Sequence, residues 1–456
     1  MKTKATATYL TTLSNFLSDT QLKDLPSEVI DRGRWIIADS LVAIAAGMQC
    51  KEMKELTRRH LAGRRRTAEA TVIGAGIAAD PMNAALLNGT AGTWLELDEG
   101  CLYAKGHPGI QVVPAALAIA ERDRCSGRDF LLALILGYEA SARIGRATKL
   151  RPMVHPHGTY GAIGAAVAVA KLAGYGADDI YRIINLSSTL GLATSRGTIF
   201  EGVTVRNIYS GISGYMGILA DQLIKSGFTG ETDGVQSIYG SIYGDEFTPN
   251  LVIKDLGKEF LVAKNYFKIH SAPRFAHSAL GVTEKLMAEL PTRKIDPDEI
   301  ERIEFKSFFM ASTLSRKSVA TTFDAKFSVP FGVASLIYHG GAGLQNYADE
   351  AIANPKIQRL AQRVSIEEDP AYTSRFPEEQ ICDVRVQFRN GFEAKATVYY
   401  MKGENENPHS IEELKSKFFD LAHEPWGKTR AADIFEGLMT LEEIADVKAF
   451  TAKYQL

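Results

Sequence analysis

Over the first 265 residues, apolar side chains recur at the three- and four-residue spacing of a helix. Ala and Gly fill so many of the intervening positions that the helices must pack closely on several sides. Val29, Ile30, Ile36, Ile37, Leu41, Val42 and Ile44 make one such run, with Ser27 as the expected cap after Pro26 and Gly47 as the expected stop. Further helices are expected over Pro81–Trp94, Val112–Arg122, Gly127–Ile144 and Gly211–Lys225. The extreme stretch is Gly158, Gly161 and Gly164 followed by Ala165, Ala166, Ala168 and Ala170, which lays a bare stripe on one helix face. That stripe reads as close helix–helix contact or as room for an anion at a helix start. It lacks the strand–turn–helix setting of a dinucleotide fingerprint, and no GxxxxGK[ST] occurs.

The hydrophobic period changes near residue 266. Ile303 and Phe305 alternate with Glu304 and Lys306, as in a half-buried strand. Between 383 and 400 the apolar positions Val384, Val386, Phe388, Phe392, Ala394, Ala396, Val398 and Tyr400 are all even-numbered. A two-residue Asn390-Gly391 turn would mix the two faces. A three-residue loop, Arg389-Asn390-Gly391, pairs Phe388 with Phe392 and Val386 with Ala394, with Gly391 in the left-handed position. The expected fold is therefore mainly α: a large all-helical domain over 1–266, an inserted smaller α+β domain over 267–405, and a helical return over 406–456.

Composition narrows the partners. Lys and Arg total 52 against 54 Asp and Glu, so no global field favours nucleic acid or an acidic membrane. The most basic stretch, Lys51 to Arg66, holds seven Lys/Arg and reads as a solvated helix end and loop. Four scattered cysteines form no CxxC, which argues against a cysteine-held metal centre and against a disulfide framework. Met1–Thr12 is polar and lacks the apolar core of a signal peptide. No apolar run approaches the ~20 residues of a membrane span. A cytoplasmic protein is the expectation.

Four segments carry candidate chemistry. Glu96, Asp98 and Glu99 lie just before Gly106-His107-Pro108-Gly109, a Gly/Pro loop where a histidine is more often functional than in a core. A solvated acidic loop is the competing reading. His155-Pro156-His157-Gly158-Thr159 precedes the glycine-striped helix. Its histidines, at i and i+2 in an extended segment, could be half a metal site or a base with a hydrogen-bonding neighbour. Arg206 and Tyr209 lead into the helix expected at Gly211, where an arginine suits bidentate carboxylate binding, with a surface ion pair as the alternative. Lys268, His270, Arg274 and His277 crowd the expected domain junction. This inventory of bases, acids and cations fits cofactor-free proton chemistry on an acidic metabolite.

These segments, in this order, resemble the MmgE/PrpD family. The likeness runs from Phe16-Leu17 and Asp39-Ser40-Leu41 through Asn88-Gly89-Thr90-Ala91, Gly106-His107-Pro108, His155-Pro156, Gly158-Thr159 and Gly227-Phe228-Thr229-Gly230 to Lys268, His277 and Lys417-Phe418. The resemblance implies a helical body with an α+β lid, a homodimer and no required cofactor. It also implies a lyase that abstracts a proton α to a carboxylate of a small di- or tricarboxylic acid. His107, His155, Lys268, Asp98 and Glu96 are then the expected catalytic residues. Arg206, His277, Arg274, Thr159, Tyr209 and His157 are the expected substrate contacts, and no metal ligand is expected. Where relatives often carry a Lys followed by a His, this chain has Arg206 and Tyr209, and Arg is a poor proton shuttle. An epimerase using the same proton abstraction, a metal-dependent hydratase using His155 and His157, and a non-catalytic helical binding protein are the alternatives.

Overall fold

The computed structural model describes residues 7–64, 68–454 and 456. The first half of the polar N-terminus and Arg65-Arg66 of the basic stretch lie outside the described residues. The chain divides into two compact units. The first comprises Met1–Arg196, Val205–Asn265 and Glu412–Leu456; the second comprises Gly197–Thr204 and Tyr266–Ile411. Among the described residues, no helix is long and apolar enough to cross a membrane.

The first unit is mainly helical. Its helices include Ser27–Met48, Pro81–Trp94, Pro108–Arg122, Gly127–Ala147, Gly161–Leu172 and Ile208–Lys225. Residues 161 to 170 are all buried, so this helix has no solvent face. The glycine stripe serves close packing: a Cβ on Gly164 would sit 2.7 Å from the Gly137 carbonyl oxygen, and one on Gly137 would sit 2.5 Å from that of Gly164. Several boundaries differ from the sequence reading. Ser27 is the first helical residue, and Pro26 occupies the cap. Gly47 lies inside its helix, where a Cβ would fall 2.0 Å from the Ala91 carbonyl oxygen; it permits a helix crossing and is not a stop. The helix expected from Val112 begins at Pro108, since proline fits the first turn. The helix expected from Gly211 begins at Ile208, after a short 3₁₀ turn over Thr204–Asn207. Gly158 stands outside the striped helix with φ +83°.

The second unit carries a four-stranded sheet in the order Val364–Glu368, Ile300–Ser307, Cys382–Phe388, Glu393–Val398. The first pair is parallel and the other two are antiparallel. Ile303, Phe305, Val384 and Val386 face a core shared with the His277–Glu289 and Val329–His339 helices. The hairpin has the expected register, Val386 opposite Ala394 and Val384 opposite Ala396. Phe388 N–H bonds to the Phe392 carbonyl, and Gly391 has φ +85°. The three-residue loop keeps one apolar face on the core, although Phe392 at the rim stays exposed.

Candidate active site

The acidic loop after the Pro81–Trp94 helix is not solvated: Glu96, Asp98 and Glu99 are buried. Asp98 Oδ2 lies 2.6 Å from His107 Nδ1, an ion-pair approach whose angle does not make a ring N–H hydrogen bond. His107 caps the Pro108–Arg122 helix, so Pro108 and the helix start hold its backbone. Behind it, Glu99 Oε1 accepts from the Gly109 N–H at 2.8 Å. A Cβ on Gly109 would fall 2.4 Å from that oxygen, which is why glycine stands there. Glu99 Oε2 accepts from the Tyr138 hydroxyl at 2.9 Å and Asn265 Nδ2 at 3.1 Å. Burial pushes the Glu99 carboxyl up to about 8 against these donors.

The His-Pro-His segment is a turn and not the extended segment expected. It still brings its histidines together, because the chain folds back at Pro156. The rings of His155 and His157 meet edge to face at 4.6 Å, and His157 meets His107 the same way at 4.7 Å. His155 Nδ1 accepts the His157 backbone N–H at 3.0 Å. Both are buried. Burial, followed by Arg206 and Arg196 nearby, drives the His155 pKa well below its ordinary value. His155 is therefore neutral, with its proton on Nε2. Thr159 is buried, and its hydroxyl donates to the Pro156 carbonyl within the turn.

Gln111 bolts these pieces together. Its Nε2 donates to the His107 carbonyl at 3.0 Å. Its Oε1 accepts from Gly158 N–H at 3.2 Å and from Ser213 Oγ at 2.9 Å. In the first turn of the Ile208–Lys225 helix, Ser210 Oγ lies 3.5 Å from His157 Nδ1. Arg206 is buried and ion-paired with Glu96, so the surface reading fails. Its Nε has no hydrogen-bond partner among the described residues, and neither has Nδ2 of the adjacent buried Asn207. The half-buried Tyr209 ring stands 5.8 Å from His155. A last buried pair, Asp39 and Lys417, closes on the same loop: Lys417 Nζ donates to Asp39 and to the Leu97 carbonyl.

The second unit has its own polar cluster. Lys268 is fully buried. Arg274 is paired with Glu404 at 2.7 Å, donates to the Lys402 carbonyl and lies 4.4 Å over the Tyr266 ring. His277 opens the His277–Glu289 helix. Its Nδ1 stands 3.3 Å from Arg274 Nη1 and its Nε2 3.2 Å from the Ala272 carbonyl oxygen. Burial and then Arg274 push its pKa well below 6.5.

Sequence reasoning gave no role to Asp39, Lys417, Gln111 or Asn207, although Asp39 and Lys417 stand in segments that carry the family resemblance. Asp39 left a signal, a lone carboxylate inside the apolar run Ile36–Ile44. Gln111 left none, since its role needs three segments that only the fold assembles. Among the described residues, no group of three or more His, Cys, Asp or Glu side chains is arranged to hold a metal ion.

Residues 11–244 match the model of the MmgE/PrpD N-terminal domain, and residues 270–440 match that of the MmgE/PrpD C-terminal domain. The chain is similar to a cis-aconitate decarboxylase-like protein, oryM, of Aspergillus oryzae, at 23% identity over 96% of each chain. It is also similar to a cis-aconitate decarboxylase of Aspergillus terreus, at 23% identity over 95% of this chain and 93% of that one. With both family domains matched along its length, the chain belongs to the MmgE/PrpD family.

Proposed function

We propose that the protein is a lyase of small di- or tricarboxylates that begins by removing a proton α to a carboxylate and needs no cofactor. The observation that carries this reading is the buried row Asp98, His107, His157, His155, in which His107 Nδ1 faces a carboxylate and His155 Nδ1 a backbone N–H. A carboxylate against His107 Nδ1 favours the tautomer with its lone pair on Nε2, the atom of a general base. A backbone N–H against His155 Nδ1 favours the reverse, with Nε2–H as the acid. The base takes the α proton, and the C–H electrons pass into the adjacent carboxylate as an enediolate. The acid then protonates a departing hydroxyl, which leaves as water. In the decarboxylating variant no α proton is removed: the bond to a carboxyl carbon breaks, its electron pair stays on the remaining carbon, CO₂ leaves, and the acid protonates that carbon.

The charge that builds needs cations. Arg206, held by Glu96 through its Nη atoms, keeps Nε–H for a substrate carboxylate. Tyr209, Thr159 and His157 complete the proposed substrate contacts of the helical unit. Lys268 is proposed, on the family resemblance alone, as a further catalytic cation; Arg274 and His277, held by Glu404, the Lys402 and Ala272 carbonyls and each other, are read as struts and leave the proposed contacts. The two relatives named for cis-aconitate put that tricarboxylate first on a test panel. The test is incubation in D₂O with di- and tricarboxylates, read by NMR for α-proton exchange and product. Exchange that disappears in His107→Ala and His155→Ala supports the reading; a panel without exchange or product overturns it. The same reading carries a homodimer, checked by light scattering on the eluted protein.

A further inference from the structure

Asp98 is held through the two peptide groups that flank it. On its N-terminal side, the Leu97 carbonyl accepts from Lys417 Nζ at 2.6 Å. On its C-terminal side, the Glu99 N–H donates to Asp39 Oδ2 at 3.0 Å. Asp39 and Lys417 are ion-paired with each other, and both are buried. A single buried pair therefore grips the backbone on both sides of the carboxylate that faces His107. The two residues come from far apart in the chain, Asp39 from the Ser27–Met48 helix and Lys417 from the Ile411–Trp426 helix. The frame continues through Glu99, whose side chain holds Gly109 two residues beyond His107.

Stability alone does not explain such a pair. Replacing a buried ion pair by apolar groups of similar volume is often neutral or stabilising. Desolvation works against this one, since burial raises the Asp39 pKa while Lys417 opposes the rise. What an apolar pair could not supply is the set of directed bonds to the 97–98 and 98–99 peptides.

We propose that Asp39 and Lys417 are positioning residues that aim the Asp98 carboxylate at His107 Nδ1 and so set the His107 tautomer. The C-terminal return is then part of the catalytic frame and not only of the helical core. This inference rests on the proton-abstraction reading above.

Nitrogen-15 NMR of the histidine rings in the full-length protein tests it without knowledge of the substrate. The unmodified protein should carry the His107 proton on Nδ1. Lys417→Met should move the tautomer ratio toward Nε2–H by about tenfold or more, the size of one lost close contact with a charged group. Lys417→Arg, which restores a cation and donors, should bring the ratio back. If Lys417→Met does not fold, Asp39→Leu with Lys417→Met keeps the site filled with apolar groups and is read by the same criterion. A ratio unchanged in the folded variants overturns the proposal. Asp98→Asn separates the two levels of the argument. If it shifts the tautomer and the Lys417 variants do not, the positioning proposal alone falls. If Asp98→Asn itself leaves the tautomer unchanged, the Asp98–His107 reading falls and the proposal falls with it.

Discussion

Two buried histidine clusters, one in each unit, differ in how their ring nitrogens are occupied. In the helical unit, His107 meets a carboxylate at Nδ1 and His155 meets a backbone N–H at Nδ1. In the α+β unit, His277 has Arg274 at Nδ1 and a backbone carbonyl at Nε2. His155 and His277 are alike in burial, and both are held neutral by it. The contrast lies in the second nitrogen. Two internal partners fit a strut at His277, whereas the backbone N–H at His155 Nδ1 favours a tautomer with its proton on Nε2. Burial by itself therefore does not mark a catalytic histidine.

The strongest way to break this contrast is to remove the base. His107→Ala and Asp98→Asn should each lower turnover by about 10²–10⁴-fold, the usual contribution of an acid–base group, with the melting temperature changed far less. Steady-state kinetics beside thermal melts checks this. Retained turnover would make His107 a strut like His277.

The next test sets His155 against His277 by pH. Both have folded-state pKa values below the ordinary 6.5, so the unfolded chain takes up their protons first as pH falls. Their stability contribution is whole above about pH 6.5 and is lost below it, at up to about 1.4 kcal/mol per pH unit for each ring. His155→Gln and His277→Gln should both flatten the acid limb in denaturant titrations. Only His155→Gln should also lower kcat by about 10²-fold. A comparable kcat loss in His277→Gln would erase the distinction.

Smaller effects sharpen it. Gly164→Ala drives a Cβ against the Gly137 carbonyl and should cost about 1–3 kcal/mol of stability by overpacking, measured by chemical denaturation. Arg206→Lys keeps the charge but loses the Nε–H; KM should rise about tenfold with a lesser fall in kcat, the pattern of lost ground-state binding. Dialysis against a chelator should leave turnover unchanged, and a loss restored by added metal would favour the hydratase alternative.

Local pattern was enough for the elements. The Pro81–Trp94 helix, the Ile300–Ser307 strand and the hairpin register with its Gly391 turn all follow from spacing, because each depends on neighbours within a few residues. Ends were less legible. Gly47 resembles a stop only until the helix that crosses it at Ala91 is known. Ordered motifs marked His107, His155 and Arg206, but not which nitrogen each would present. That depends on Asp98 Oδ2, the His157 N–H and Glu96 standing within hydrogen-bond reach. Gln111, Asp39 and Lys417 show the limit most clearly, since their work is done on backbone groups from distant segments. The sequence by itself determined which residue types were available and which elements would form, because helix and strand periods are local. Only the tertiary structure decided tautomers, ion-pair partners and the frame around Asp98, because those depend on through-space distances of about 3 Å that no sequence spacing encodes.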